Sequence, residues 1–509
     1  MAMFEDEHTE PSSGVPHPTR RRLLALTSGL VGAVAVGGLP ATAARAGTRP
    51  GSGGRRWLAG DHHVHSEFSV GYDNSTAPPT PILGGDAIYP LAVNASNARR
   101  FGLAWMVSTD HGGPLHSKLD AEQRYPSLLK ARRAVPGVLQ FYGMEFDTPA
   151  ADHSSLIIPK VASERDILFR LESQFAKRDP FPADPSFDTE AKMLEALRVM
   201  RQLPHKPVLF ANHPARSATG LGVYGQDTPA EFRKWHDTAP EIVRGFEGAP
   251  GHQAGSLNRD GSIDPGGARG GYSNHPTMGG FDQMTARLGG LWDALLGEGR
   301  RWWITSTSDS HVHYTDGGSD FWPGEYSKTY VHARRDYGDV LDGLRNGRIF
   351  VTIGDLIDLL EVSVRPVGGG HGHAHGGVAT VGETLRLTGR DRDVEVEIHI
   401  HEPDHPNAAG KRPRVRRLDI ITGRVTGPAG DRTGDTNPTT KVAARLDAAR
   451  YRRENGTIVV RHTLRDIDGP MYVRVRGTST DELEPQPDPR GSDPWSDLWF
   501  YSNPVFVNR

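Results

Sequence analysis

Seven short apolar runs between Trp57 and Asp355 each end at or near a histidine or an acidic residue. They read WLAGDHHVH, GLAWMVSTDH, VLQFYGMEFD, PVLFANH, EIVRGFEG, RWWITSTSDSH and GRIFVTIGD. Each has the length of a strand, and stretches of helical period separate several of them. Thr189–Leu203 and Met284–Leu296 carry apolar residues at the spacing of one helix face. Alternation of strand and helix over about 300 residues predicts an α/β fold, and a barrel in particular. In such barrels the C-terminal ends of the strands converge on one face. Polar residues far apart in the chain are therefore expected to meet in one pocket.

Beyond about Asp355 the pattern changes. Short alternating runs (LEVSVRPV, ETLRLTG, VEVEIHIHE, RRLDIITG, GTIVVRHTL, MYVRVRG and FYSNPVFV) are separated by Gly, Pro and Asp. They predict an all-β, sandwich-like domain over 359–509, following a barrel over 57–358. Val367–Ala379 (VGGGHGHAHGGVA) is a low-complexity insert, read as a loop that picks up metal only incidentally. A chain of 509 residues is long enough for two such domains and a large core.

The chain has no cysteine, which excludes disulfides, thiolate nucleophiles and thiolate metal sites together. Any metal must be held by imidazole and carboxylate, and 23 histidines are available. The formal net charge of −3 gives no basic footprint for nucleic acid and no polybasic patch for a membrane.

The first residues read as an export signal. Thr19-Arg20-Arg21-Arg22-Leu23-Leu24 resembles the twin-arginine pattern, residues 23–44 are uncharged, and Ala44-Arg45-Ala46 offers small residues for cleavage. Residues 1–46 are therefore expected to be a signal peptide and 47–56 a linker, leaving an extracytoplasmic protein with no stable membrane anchor. An uncleaved anchor is the alternative, because 22 uncharged residues could just span a bilayer. The four Gly and one Pro in that stretch favour cleavage.

His63-Val64-His65 carries the chemistry. Residues two apart on a strand point the same way, so both imidazoles can grip one ion. The motif alone is weak, since His311-Val312-His313 and His373-Ala374-His375 also occur. Its company raises it. Thr109-Asp110-His111 ends the second run, Glu145 the third, Asn212-His213-Pro214 another, and Asp309-Ser310-His311 another. His153 follows Glu145 by eight residues. Asp61 is placed to orient an imidazole, as a carboxylate behind a ligand commonly does, and Asp110 is read as a supporting group of the same kind.

The ordered set DHHVHS (61–66), STDHG (108–112), GMEFD (143–147), ANHP (211–214) and TSDSH (307–311) resembles the PHP superfamily, the polymerase and histidinol phosphatase domain. The resemblance implies a distorted barrel of about seven β/α units, two or three divalent ions, and hydrolysis of phosphate esters by a water activated between those ions. It places His63 and His65 at the first metal, Glu145 as the bridging carboxylate, and Asp309 as the aspartate completing the first site. His213, with His153, falls to the second metal, and His111 and His311 to the third. The family has one more His or Asp shortly after the first motif. The common spacing lands on Val70, which cannot ligate, so Asp73 is the expected substitute. Imidazole and carboxylate suit zinc, manganese or iron alike.

Three further residues are candidates for catalysis: Arg216 to grip a phosphoryl oxygen, and His116 or His252 to protonate the leaving group. The expected substrate is a small phosphate ester. A carboxyl-ester or carbamate hydrolase of the same superfamily is the second reading, and a non-catalytic cell-surface binding protein the third. Other features have blander readings. Glu247 is expected to be solvated or to face substrate as readily as to ligate, and His313 to be a loop residue. Trp302-Trp303 and Trp499-Phe500-Tyr501 are expected in the core, and Lys411–Arg417 on a solvated turn.

Overall fold

The computed structural model describes residues 54–272, 274–367, 377–388 and 392–509. The expected signal peptide, most of the linker and the HGHAH motif lie outside the described residues. No helix among the described residues is long and apolar enough to cross a membrane.

The seven runs and their neighbours form nine strands in chain order. They are β1 (Arg56–Val64), β2 (Trp105–Ser108), β3 (Leu139–Asp147), β4 (His153–Ile158), β5 (Val208–Ala211), β6 (Val243–Ala249), β7 (Trp303–Ser306), β8 (Ser327–Ala333) and β9 (Ile349–Ile353). Their order in one mixed sheet is β9-β8-β1-β2-β3-β4-β5-β6-β7. β1, β2 and β3 run parallel, as do β5, β6 and β7. Nearly every residue of these strands is buried, which is why they read as continuous apolar runs rather than alternating ones. Gly60 shows how tightly they pack: a Cβ there would sit 1.9 Å from the Trp105 ring. Trp302 and Trp303 are buried as expected.

The end of β1 meets the segment that follows β7. Val64 and Ser310 form a parallel bridge, Asp309 N donates to His63 O at 3.0 Å, and His65 N donates to Ser310 O at 3.1 Å. The segment after β7 is thereby fixed beside the end of β1.

Two departures from the sequence reading matter. First, β4 runs antiparallel to both β3 and β5, with no helix between β3 and β4. A strand that runs backwards offers its first residue at the edge where its neighbours offer their last, and that first residue is His153. Second, the helix expected over Met284–Leu296 is two short helices, Gln283–Ala286 and Leu291–Gly297. Gly289, at φ +71°, and Gly290 interrupt it. The other expected helix forms as read, over Glu190–Gln202, with the Thr189 side chain accepting from Lys192 N.

The later runs form β10 (Leu359–Pro366), β11 (Val394–His401), β12 (Arg417–Arg424), β13 (Lys441–Asp447), β14 (Thr457–Leu464), β15 (Met471–Thr478), β16 (Trp499–Ser502) and β17 (Val505–Asn508), with three shorter pieces. β10, β11 and β14 belong to a second sheet. β12, β13, β15, β16 and β17 extend the first one, because β16 pairs antiparallel with β9. Strand pairing therefore crosses position 358. The buried Arg474 guanidinium also makes a two-pronged pair with Asp293, at 2.9 and 2.7 Å. Trp499, Phe500 and Tyr501 are core residues. Lys411 and Arg416 are exposed as expected, but Arg417 is buried against the Trp499 ring.

Candidate metal centre

At the edge where β1, β2, β3, β5 and β7 end and β4 begins, His, Asp and Glu side chains converge. His63, His65, Glu145 and Asp309 are all buried and offer donors within reach of a single ion. Both His63 Nε2 and His65 Nε2 lie 3.0 Å from Asp309 Oδ1. They lie 3.3 and 3.4 Å from the two Glu145 oxygens. A tetrahedral ion with ligands at ~2.0–2.1 Å separates its donors by about 3.3 Å. The four groups fit that spacing.

Around this centre lie two more groups. Glu145 Oε1 is 2.9 Å from His213 Nε2 and 3.3 Å from His153 Nδ1. On the other side, His65, Asp86, His111 and His311 cluster, with Asp86 Oδ2 3.7 Å from His111 Nε2 and 3.5 Å from His311 Nε2. Glu145 Oε2 reaches His111 Nδ1 at 3.0 Å, so this carboxylate touches all three groups.

The donors are short of partners. His111 Nδ1, His153 Nδ1, His213 Nδ1, Glu145 Oε2 and Asp309 Oδ1 are buried and make no hydrogen bond. Buried polar atoms are normally hydrogen-bonded, so five that face only one another in one place make a site that could hold cations. Burial alone would push the Glu145 carboxyl up, but His111, His63 and His153 hold it well below the usual range. Asp309 is likewise desolvated, and His63 and His252 hold it well below. The surrounding imidazoles thus favour the charged form of both carboxylates.

The backbone is strained where these residues emerge. His213, His252 and Asp309 adopt left-handed φ of +29°, +53° and +48°, a conformation that costs a side-chain-bearing residue roughly 1–3 kcal/mol. Gly251 makes room for Asp309, since a Cβ on it would lie 2.0 Å from the Asp309 Cβ.

Supporting groups fix the imidazoles. Glu247, fully buried, sits 2.6 Å from His63 Nδ1 and accepts from His213 N at 2.7 Å. It is neither solvated nor facing substrate; it sets the His63 tautomer so that Nε2 faces the centre. Asp61 does not orient an imidazole. Its carboxylate accepts from His63 N and Ser308 N and ties the two loops together. Asp110 supports as expected: Ser69 Oγ donates to it at 3.1 Å and stands 2.8 Å from His65 Nδ1.

Among the remaining expected residues, Arg216 reaches the centre, its Nη1 3.6 Å from Asp309 Oδ2. His252 reaches it too, with Nε2 3.0 Å from Asp309 Oδ2 and Nδ1 2.5 Å from Asp320 Oδ1. His313 is a loop residue, held by Thr315 and Glu325.

Two expectations are corrected. His116 is buried away from the pocket, with Nδ1 2.6 Å from Glu172 and Nε2 3.0 Å from Phe68 O. Both nitrogens are engaged, so it cannot serve a leaving group. Asp73 lies on an exposed two-stranded hairpin and caps Ser75 N. Asp86 is the carboxylate that lies beside His111 and His311. The hairpin Gly71–Asp73/Thr80–Ile82 inserts length between the first motif and its acidic partner, and Gly84-Gly85 turns the chain back to deliver Asp86. Those two glycines before an acid were the available signal. Asp152, next to His153, was also unmarked by the motifs, although its adjacency to a ligand could have flagged it.

No family model matches the sequence, and no curated protein matches it. Solved structures give distant likenesses. One is a two-domain protein from Bacteroides vulgatus containing a predicted PHP-like metal-dependent phosphoesterase, with a TM-score of 0.33 at 14% identity, over 91% of this chain and 98% of that one. Another is Endonuclease Q in complex with a 27-mer duplex bearing an abasic lesion at the active site, with a TM-score of 0.27 at 12% identity. That match covers 58% of this chain and 56% of the endonuclease, so the chain spans about half its length. Likenesses this distant leave the assignment to the geometry of the site.

Proposed function

We propose that this chain is a metal-dependent hydrolase. More narrowly, we read it as a phosphoesterase of the PHP superfamily acting on small phosphate esters, with β1–β7 as the distorted barrel that the superfamily implies. The observation that carries the reading is the convergence of His63, His65, Glu145 and Asp309 around one point, with several buried donor atoms making no hydrogen bond.

Divalent ions held there would bring a water toward ionisation near neutral pH and neutralise charge on the ester. The chain's own groups do the rest. Glu145 links all three donor groups and so fixes their spacing. Arg216, partly exposed beside Asp309, can grip an oxygen of an anionic substrate. This guanidinium favours a phosphate over a neutral carboxyl ester or carbamate. His252, held by Asp320, faces the same space.

The test uses chain stripped by chelator and reloaded with zinc, manganese or iron. Turnover of p-nitrophenyl phosphate or its diester is expected with metal and is expected to vanish on chelation. Metal-dependent turnover of p-nitrophenyl acetate alone would shift the reading to the carboxyl-ester class. No metal-dependent turnover of either phosphate compound would overturn it.

We further propose that the protein works outside the cytoplasm, on the strength of Arg20-Arg21-Arg22 and the uncharged stretch after it. Replacing the three arginines by lysine is expected to retain the protein in the cytoplasmic fraction. Undiminished export of that variant would refute the twin-arginine route.

A further inference from the structure

The turn between β3 and β4, residues 148–152, does more than reverse the chain. Glu145 and His153 stand on its two strands, with Asp147 paired to His153 and Glu145 to Ser155. Ala150 within it adopts φ +58°, and its N–H donates to Asp188. Asp152 N donates to the buried Asp227 carboxylate at 3.3 Å. A strained turn anchored at two points holds Asp152 toward the metal centre.

Its carboxylate meets two imidazoles there. Asp152 Oδ1 is 3.6 Å from His153 Nδ1, and Oδ2 is 3.9 Å from His213 Nδ1. Both nitrogens are buried and without a hydrogen bond. The carboxylate itself accepts no hydrogen bond among the described residues, and the three groups offer donors within 4.8 Å of one another. These separations are too long for hydrogen bonds, and a small approach of the three groups would bring them onto one ion.

Asp320 makes the contrast. It too lies within reach of two histidines, His252 and His311. But its Oδ1 already faces His252 Nδ1 at 2.5 Å, and its Oδ2 accepts from His311 N and Val312 N at 2.6 and 3.0 Å. Asp320 is satisfied and acts as a brace. Asp152 is not.

We propose that Asp152 is a further metal ligand, which with His153 and His213 forms a donor group of its own beside Glu145. This rests on the metallohydrolase reading above. It would favour a harder ion at this position than imidazole-rich ligation does.

The test counts and weighs ions rather than turnover. The purified chain is stripped, reloaded with manganese or zinc alone, and analysed for ions per chain. Affinities follow from competition with a chromophoric chelator. Asp152→Asn and Asp152→Ala are expected to weaken one ion by about tenfold or more. The other ions and the far-UV dichroism are expected to be unchanged. Asp152→Glu, which keeps a carboxylate, is expected to recover part of the loss. Asp73→Asn, on the exposed hairpin, is expected to bind as the unaltered chain does. Unchanged ion count and affinity in both the Asn and Ala variants would overturn the assignment of Asp152 and leave the rest standing. An unaltered chain that binds no ion would overturn the metallohydrolase reading beneath it.

Discussion

Asp309→Asn, or Glu145→Gln, is expected to lower kcat/KM by about a thousandfold or more, a loss of about 4 kcal/mol in transition-state stabilisation. Asp309 Oδ1 faces both His63 and His65 at 3.0 Å, and Glu145 touches all three groups of donors. An amide of the same shape preserves packing but removes the charge that offsets a cation. Elemental analysis of the two variants is expected to find fewer ions per chain, and added metal is not expected to restore the rate. Near-normal activity in both variants would refute the assignment of the centre. Activity lost with full ion content would instead make these groups participants in the reaction rather than holders of metal.

The second large effect is on stability. Arg124 is fully buried, its Nε 2.5 Å from Asp110 and its Nη1 2.5 Å from Asp120. Its Nη2 also donates to Ser108 O at 2.7 Å and to Gly143 O, at the backbone of β2 and β3. Arg124→Met fills the volume but leaves two carboxylates buried without their counter-charge. Breaking a buried pair from one side costs about 3–5 kcal/mol. The urea midpoint of unfolding is expected to fall accordingly. Adding Asp120→Asn to the same chain is expected to return part of the loss, since one of the stranded charges is then gone. A change under about 1 kcal/mol in the single variant would show that this network contributes little net stability. Because Asp110 also holds Ser69 against His65, metal affinity is expected to fall with stability.

The sequence reveals the centre better than its surroundings, for a physical reason. His63, His65, Glu145, His213 and Asp309 come from strand ends, where fold and function coincide, so apolar runs located them. Asp86 comes from a loop whose length is free to vary; the common spacing points to Val70, and the longer loop allowed for reached only as far as Asp73. His153 was found as a residue, but the antiparallel direction of β4 that delivers it leaves no mark in composition. His116 shows the opposite error. A histidine near the motifs looked available, yet Glu172, far along the chain, occupies one of its nitrogens. Pairings of that kind are written in three dimensions only. The later β segments were legible as strands from their alternation, whereas their partners were not. Nothing in FYSNPVFV announces that β16 lies against β9.

That last pairing bears on how the molecule comes to be made. The strands that carry the cluster of His, Asp and Glu leave the ribosome first, but the free edge of β9 is covered only when Trp499–Ser502 arrive. Asn503 then bonds to both Ile304 and Ile349 and joins β7 to β9. Until that moment the short outer edge of β9 stands open to any passing strand. Completion of the sheet thus waits on contacts between distant parts of the chain, which form slowly. A nascent chain of this design is expected to depend on holding factors during synthesis.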